Sequence, residues 1–249
     1  MGRVIVVGET CMKVTFDGAR PVASVPGGCL FNVAAKLGES GADVSFVSET
    51  GADRPGDMAV GYLTSRGVDV KSVDRYTDGA TPVELEFDGQ DTVRYEHYSE
   101  DEGLDVIWPR MEPSDVLVFG EYMALSPRVR ARLWQLVTHA KERKIRIVYI
   151  PGNLAGRESR ITRVMPTLFE NLEIADEVIT APEYNRYIFG NDDAASVYRN
   201  NVSFYCDRMT DVDIVAGRVA RFGAGDTESV CCGDIVEAIV NEIIRISKK

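Results

Sequence analysis

The stretch PGGCLFNVAAKLGESGADVSFVSETGADRPGDMAVGYLTSRGV, Pro26 to Val68, decides the fold. Gly27 and Gly28 make a turn at which a backbone can approach a ligand where a Cβ would collide. Leu30 to Leu37 follows with helical spacing, and Val44 to Val47 reads as a short strand. Asp57 to Arg66 is a second helix, stopped by Gly67. Just upstream, the β-branched run Val4 to Val7 ends at Gly8 and reads as a buried strand. Strand, turn, helix, strand, helix is the order of an α/β sheet with crossover helices.

Outward from this core the pattern continues. Thr15 to Ser24 is polar and turn-rich, with a hairpin turn expected at Asp17-Gly18. Val83, Leu85 and Phe87 alternate with acids, and Val93, Tyr95 and His97 alternate on the return. That is a half-exposed antiparallel hairpin turning at Asp88-Gly89. Val116 to Phe119, Ile145 to Ile150 and Glu177 to Thr180 read as buried strands. Pro127 to Arg143 and Tyr184 to Phe189 read as helices. The clearest helix is the last. Ile235, Val236, Ile239, Val240, Ile243 and Ile244 form one stripe opposite Glu237, Asn241, Glu242 and Arg245. No fixed repeat, low-complexity tract or linker interrupts the chain, so one α/β domain over residues 1–249 with a small hairpin extension is expected.

Composition excludes several classes of function. The chain has 249 residues, 28 Lys plus Arg and 39 Asp plus Glu, for a formal net charge of −11. It has no basic run beyond Lys248-Lys249, which argues against nucleic acid as a partner. No apolar run approaches the ~20 residues that span a bilayer, and the N-terminal apolar run is too short for a signal peptide. The five cysteines are odd in number and lack C-x-x-C spacing, which fits reduced thiols in a cytoplasm. With only His97 and His139 a three-His metal site is impossible. A dinucleotide-dependent oxidoreductase is disfavoured, because no Gly-x-Gly-x-x-Gly follows the first strand.

The run from Pro26 to Val68 resembles the N-terminal signature of the ribokinase/PfkB carbohydrate kinases. Gly27, Gly28, Asn32, Gly38, Gly51, Asp53, Gly56, Gly67 and Val68 all fall in place. Taken alone, the glycine pair reads as a tight turn and Asn32 as a cap; the other matched positions tip the reading. The resemblance implies a three-layer ribokinase-like sandwich with a central, mostly parallel sheet and a small β-hairpin lid, formed by segments about 13–25 and 82–98. It implies ATP and Mg²⁺ as cofactors, a sugar-like substrate, and a homodimer paired through the lid hairpin.

The same resemblance assigns site residues. Gly27, Gly28 and Asn32 fall at substrate-binding positions. Lys13 stands where the family usually carries an Asp that holds sugar hydroxyls, and a cation there suits a phosphate or carboxylate on the substrate. Glu183 in TAPE matches the Glu of an Asn-x-x-Glu motif that organises magnesium and phosphate, with Thr180 in place of the Asn. The Asp-Pro-Asn of a later strand is replaced by Pro151-Gly152-Asn153.

The second signature, ending Gly-Ala-Gly-Asp at a helix start, has two registers. The literal one is Gly223-Ala224-Gly225-Asp226; the other places Cys231-Cys232-Gly233 as the anion hole and Asp234 as the catalytic base. Asp234 precedes the clear amphipathic helix, and the chemistry wants free backbone N–H groups there, so Asp234 is preferred and Asp226 is second choice. The family's Thr-x-Gly-x-x-Gly nucleotide segment has no match between Phe204 and Phe222. Two functions follow from this balance. One is ATP-dependent phosphorylation of a sugar or related small alcohol; the other is a weak or inactive relative that binds a ligand or partner.

Overall fold

The computed structural model describes residues 2–87, 91–101, 103–223, 225, 227–231 and 233–248. The expected turn at Asp88-Gly89 lies outside these residues, as do Asp226 and Cys232. The chain forms an α/β fold with a large, mostly parallel sheet, as the alternation of apolar runs and helices requires. Two compact units contribute to it: residues 5–109, and residues 110–249 together with residues 1–4.

The N-terminal unit runs through β1 (Val4–Val7), β2 (Cys11–Asp17), β3 (Arg20–Gly27), α1 (Cys29–Glu39), β4 (Val44–Gly51), α2 (Arg54–Thr64), β5 (Val68–Tyr76), β6 (Ala80–Phe87) and β7 (Asp91–His97). Here β1, β4 and β5 lie side by side, with β4 and β5 parallel from Val44–Val68 to Gly51–Tyr76. Phe31 of α1 packs edge-on against Phe46 of β4 at 5.7 Å and stacks on Tyr62 of α2 at 5.8 Å. One buried ring thereby joins the two helices to the sheet.

The two expected lid segments make a sheet of their own, in the order β3-β2-β6-β7. The outer pairs are antiparallel hairpins, and β2 joins β6 in parallel from Met12–Val83 to Phe16–Phe87. The first hairpin turns one residue later than expected: Asp17 pairs Arg20, leaving Gly18-Ala19 as the loop. Val68 to Tyr76 carries more polar than apolar residues, which hid β5 from a reading by hydrophobic runs.

The C-terminal unit holds β8 (Val116–Gly120), α3 (Pro127–Glu142), β9 (Arg146–Ile150), α4 (Met165–Ile174), β10 (Glu177–Thr180), α5 (Pro182–Phe189), α6 (Ala194–Asn200), β11 (Met209–Asp213), β12 (Arg218–Phe222), β13 (Thr227–Val230) and α7 (Ile235–Ser247). Strands β8, β9, β10 and β11 are parallel neighbours; β12 and β13 extend the sheet antiparallel. Val129, Leu133, Leu136, Val137 and Ala140 form the buried stripe of α3, spaced as the sequence predicts.

Asp53 ties the two layers of the N-terminal unit together. It caps α2, its Oδ1 accepting from the Gly56 N–H at 2.8 Å. It also accepts from the Thr81 hydroxyl and, through Oδ2, from the Thr81 N–H at 2.9 Å, which anchors β6. Burial works against the ionised form, but the Thr81 and Gly56 hydrogen bonds and the Arg75 charge outweigh it and hold the carboxyl below its ordinary value. The stability from Asp53 is therefore present above the ordinary carboxylate value of 3.8 and is lost as pH falls through the depressed one. Asp53→Asn turns an amide N–H toward the Thr81 N–H, and is expected to cost about 1–2 kcal/mol at neutral pH. Urea unfolding at pH 7 and about pH 3 checks this: the gap to the native chain should narrow in acid. A gap equal at both pH values would contradict it.

Candidate active site

The glycine pair divides into two cases. Gly28 precedes α1 with φ +132°, and a Cβ on it would lie 2.3 Å from the Glu9 carbonyl oxygen. The protein's own backbone thus demands glycine there. Gly27 ends β3 with ordinary room, its nearest neighbour being the Lys13 Cβ at 3.8 Å. Asn32 sits in the first turn of α1, exposed, and its side-chain amide has no hydrogen-bond partner among the described residues. It is free to donate to and accept from hydroxyls.

Lys13 is not a lone cation. Its Nζ forms an ion pair with Glu86 on the neighbouring strand β6. A more deeply buried cation stands nearby in sequence register. Arg94 of β7, with a side chain 9% exposed, contacts Glu9 at 3.6 Å, Glu84 at 3.7 Å and Glu96 at 2.6 Å. Burial opposes the charge on Arg94, but Glu9 above all raises its pKa and holds it ionised. No sequence pattern announced this group, because its members come from β6, β7 and the turn after β1.

In the C-terminal unit, Asp234 is the N-cap of α7, its Oδ1 accepting from the Glu237 N–H at 2.8 Å. Gly233 before it has φ +96°, a conformation that favours glycine. The Glu237 carboxylate lies over it, 2.3 Å from where a Gly233 Cβ would be. Cys231 is partly exposed, and its N–H donates to the Gly217 carbonyl. Of the literal motif, Gly223 and Gly225 fall between β12 and β13, so a strand rather than a helix follows it. Asp234 alone of the two candidate bases is described at a helix N-terminus.

Glu183 is exposed in the first turn of α5. Thr180, at the end of β10, donates to the Asn185 Oδ1 at 2.7 Å, and Asn185 Nδ2 donates to Asp211 at 2.9 Å. Asp211, on β11 between Thr180 and Ala220, is 1% exposed, and its Oδ2 has no hydrogen-bond partner among the described residues. Sequence reading passed over it because the two acids of MTDVD carry no signal that sets Asp211 apart. Glu121 was also passed over: it is buried just after β8 with φ +58°, a strained conformation for a non-glycine residue. Among the described residues no group of three or more His, Cys, Asp and Glu could hold a metal ion, and no helix is long and apolar enough to cross a membrane. His97 and His139 are exposed, the latter beside Arg143.

Burial pushes the Asp211 carboxyl up to about 7, with the negative charges of Asp213 and Glu183 adding and Arg218 and Asn185 opposing. The folded chain thus binds a proton that the unfolded chain releases between the ordinary carboxylate value of 3.8 and about 7. Stability should fall as pH rises through that window, by roughly 4 kcal/mol. Asp211→Asn keeps an acceptor for Asn185 and cannot ionise, so its thermal midpoint should be flatter from pH 5 to about 8. Parallel pH profiles of mutant and native chain would contradict this account.

Residues 1–179 match the model of the pfkB family of carbohydrate kinases. No curated protein sequence matches the chain. Solved structures do. Aminoimidazole riboside kinase from Salmonella enterica, complexed with aminoimidazole riboside and an ATP analogue, is 14% identical at a TM-score of 0.84, covering 100% of this chain and 86% of that one. A fructokinase double mutant from Vibrio cholerae O395, bound to fructose, ADP and potassium, is 17% identical at a TM-score of 0.83, covering 99% and 84%. A fructokinase from Xylella fastidiosa with bound ATP is 16% identical at a TM-score of 0.75, covering 99% and 82%. At these identities the structures establish a shared ribokinase-like fold, and the match over residues 1–179 establishes the lineage: this chain belongs to the pfkB family of carbohydrate kinases.

Proposed function

We propose that the chain phosphorylates a sugar or related small alcohol from ATP, with Asp234 as the general base. The observation that carries this reading is the placement of Asp234 at the N-terminus of α7, directly after a glycine in a positive-φ conformation. There a carboxylate can take the proton of an attacking hydroxyl while backbone N–H groups stabilise the transferring phosphoryl group. Asn32 and the backbone at Gly27 and Gly28 hold the acceptor's hydroxyls; the backbone at Gly233 and the first turn of α7 forms the anion hole, the Cys231 N–H being taken by the Gly217 carbonyl. ATP supplies the phosphoryl group when bound, and Mg²⁺ the countercharge on its phosphates. Glu183, exposed in the first turn of α5, would help to hold the ion.

The substrate class follows from the lid. Lys13 is paired with Glu86, and Arg94 with Glu9, Glu84 and Glu96, so neither of these two cations is left over for a substrate phosphate. A neutral polyol fits better than an anionic sugar. The exposed Val22, Val25, Val93 and Tyr95 on the lid sheet support pairing with a second copy. The absence of a membrane-crossing helix among the described residues is compatible with a cytoplasmic enzyme.

A second reading, a weakly active or inactive ligand-binding relative, is favoured by one observation. The Glu237 carboxylate occupies the space over Gly233 that an incoming phosphate would need. Two paired substitutions separate the readings. Asp234→Asn should lower kcat at least ~10³-fold with nucleotide affinity and folding retained. Glu237→Gln should tighten ATP binding by up to roughly tenfold, as one like charge is removed beside the phosphates. A fully active Asp234→Asn variant removes Asp234 as base. A Glu237→Gln variant that gains ATP binding from an undetectable level, and transfers nothing, establishes the second reading instead.

A further inference from the structure

The C-terminal unit carries a second charged site, at the end of the sheet away from Asp234. A cavity of about 510 Å³ opens beside the first residues of β10 and β11 and the last of β12. Four arginines line it: Arg146 from β9, Arg208 just before β11, Arg221 from β12 and Arg245 from the last turn of α7. Asp234 and Arg245 are separated by ~16 Å of helix, so this cavity is not the anion hole at the other end of α7.

Two of the arginines are fixed in place by buried acids. Arg221 grips both oxygens of Glu242, and Arg245 bridges Glu242 at 2.6 Å and Glu177 at 2.5 Å. Glu242 and Glu177 are 4% and 5% exposed. Burial works against the ionised Glu242, but Arg221 and Arg245 outweigh it and hold the carboxyl below its ordinary value. The other two arginines are not neutralised by any acid among the described residues. Arg146 donates to the Ile246 carbonyl at 2.5 Å, and Arg208 is exposed with no partner there. Thr227 and Ser229 add hydroxyls to the wall, and the Ser229 Oγ accepts from Arg221 at 3.0 Å.

The surplus extends sideways. A neighbouring cavity of about 650 Å³ shares Arg146 and is lined by Lys141, Lys144 and Lys248. Among the described residues, only Lys141 of these is paired with an acid, Asp176 at 2.8 Å. Across the two cavities seven cations face four carboxylates, on a chain whose net charge is −11. Concentrating positive charge at one spot of an acidic protein focuses the field there and attracts anions. Arginines held rigid by buried carboxylates lose little entropy on gripping a phosphate, and their planar forks suit its oxygens. The cavity volume lies within the range of small-molecule sites.

From this arrangement we infer that the Arg146–Arg208–Arg221–Arg245 cavity binds a small phosphate-bearing anion, separately from the phosphoryl-transfer end of the fold. The inference does not depend on the chain being an active kinase.

The test uses the full chain with inorganic phosphate and, separately, fructose 1,6-bisphosphate as probes, by calorimetric titration at fixed ionic strength with chloride as control. The inference expects saturable binding of at least one probe at roughly 1 mM or tighter. Arg208→Glu, an exposed position with no partner to lose, should weaken that binding at least ~10-fold and leave the melting temperature of the free protein unchanged. Asp234→Asn should leave it intact. Binding of the bisphosphate but not of phosphate would identify an ester as the occupant, and equal binding of both the phosphate group alone. No saturable binding, stabilisation matched by chloride, or binding unaffected by Arg208→Glu would overturn the inference.

Discussion

A helix begins with about four N–H groups that its own hydrogen bonds cannot satisfy. At α7 a carboxylate and a phosphate want the same ones. Asp234 already accepts from the Glu237 N–H, and the Glu237 carboxylate reaches back over Gly233. An acid at each of these positions is what caps an isolated helix well. With Asp234 as the proposed base, it is also what a transferring phosphoryl group would have to displace or share. Under that proposal, how α7 begins governs whether the family's chemistry survives in this chain. Gly233, with its positive φ, keeps the backbone approach open, while Glu237 narrows it.

The N-terminal unit imposes a different condition. Its two hairpins form one four-stranded sheet rather than standing apart, because β2 and β6 pair in parallel. Asp53 then fastens β6 to α2 through Thr81. Within that sheet the charges are matched internally: Lys13 to Glu86, and Arg94 to three acids. Lys13 and Arg94 are both ion-paired within the sheet. This is why the lysine at a usually acidic position signals less about the substrate than its identity suggests.

Much of the fold was legible in the sequence. Buried parallel strands are continuous apolar runs, so Val4–Val7, Val116–Gly120, Arg146–Ile150 and Glu177–Thr180 stood out. The helices α3 and α7 stood out by their stripes. The strands β5, β11, β12 and β13 did not, since acids, arginines or serines break their runs. Of the candidate site, the helix start at Asp234 was readable because such a start has local signs. The Lys13–Glu86 pair, the Arg94 cluster, the protonated tendency of Asp211 and the arginine-lined cavity were not. Each is made by residues from different strands, and no local pattern encodes a contact between distant segments.

The central claim is that a hydroxyl can be phosphorylated at the start of α7 despite Glu237. The most direct measurement is transfer of label from γ-³²P-ATP, with magnesium, to a panel of neutral sugars and ribosides by the unmodified chain. The account predicts a labelled sugar phosphate with at least one neutral acceptor and none without magnesium. Absence of labelled product with every acceptor, while the folded protein binds ATP, would contradict it.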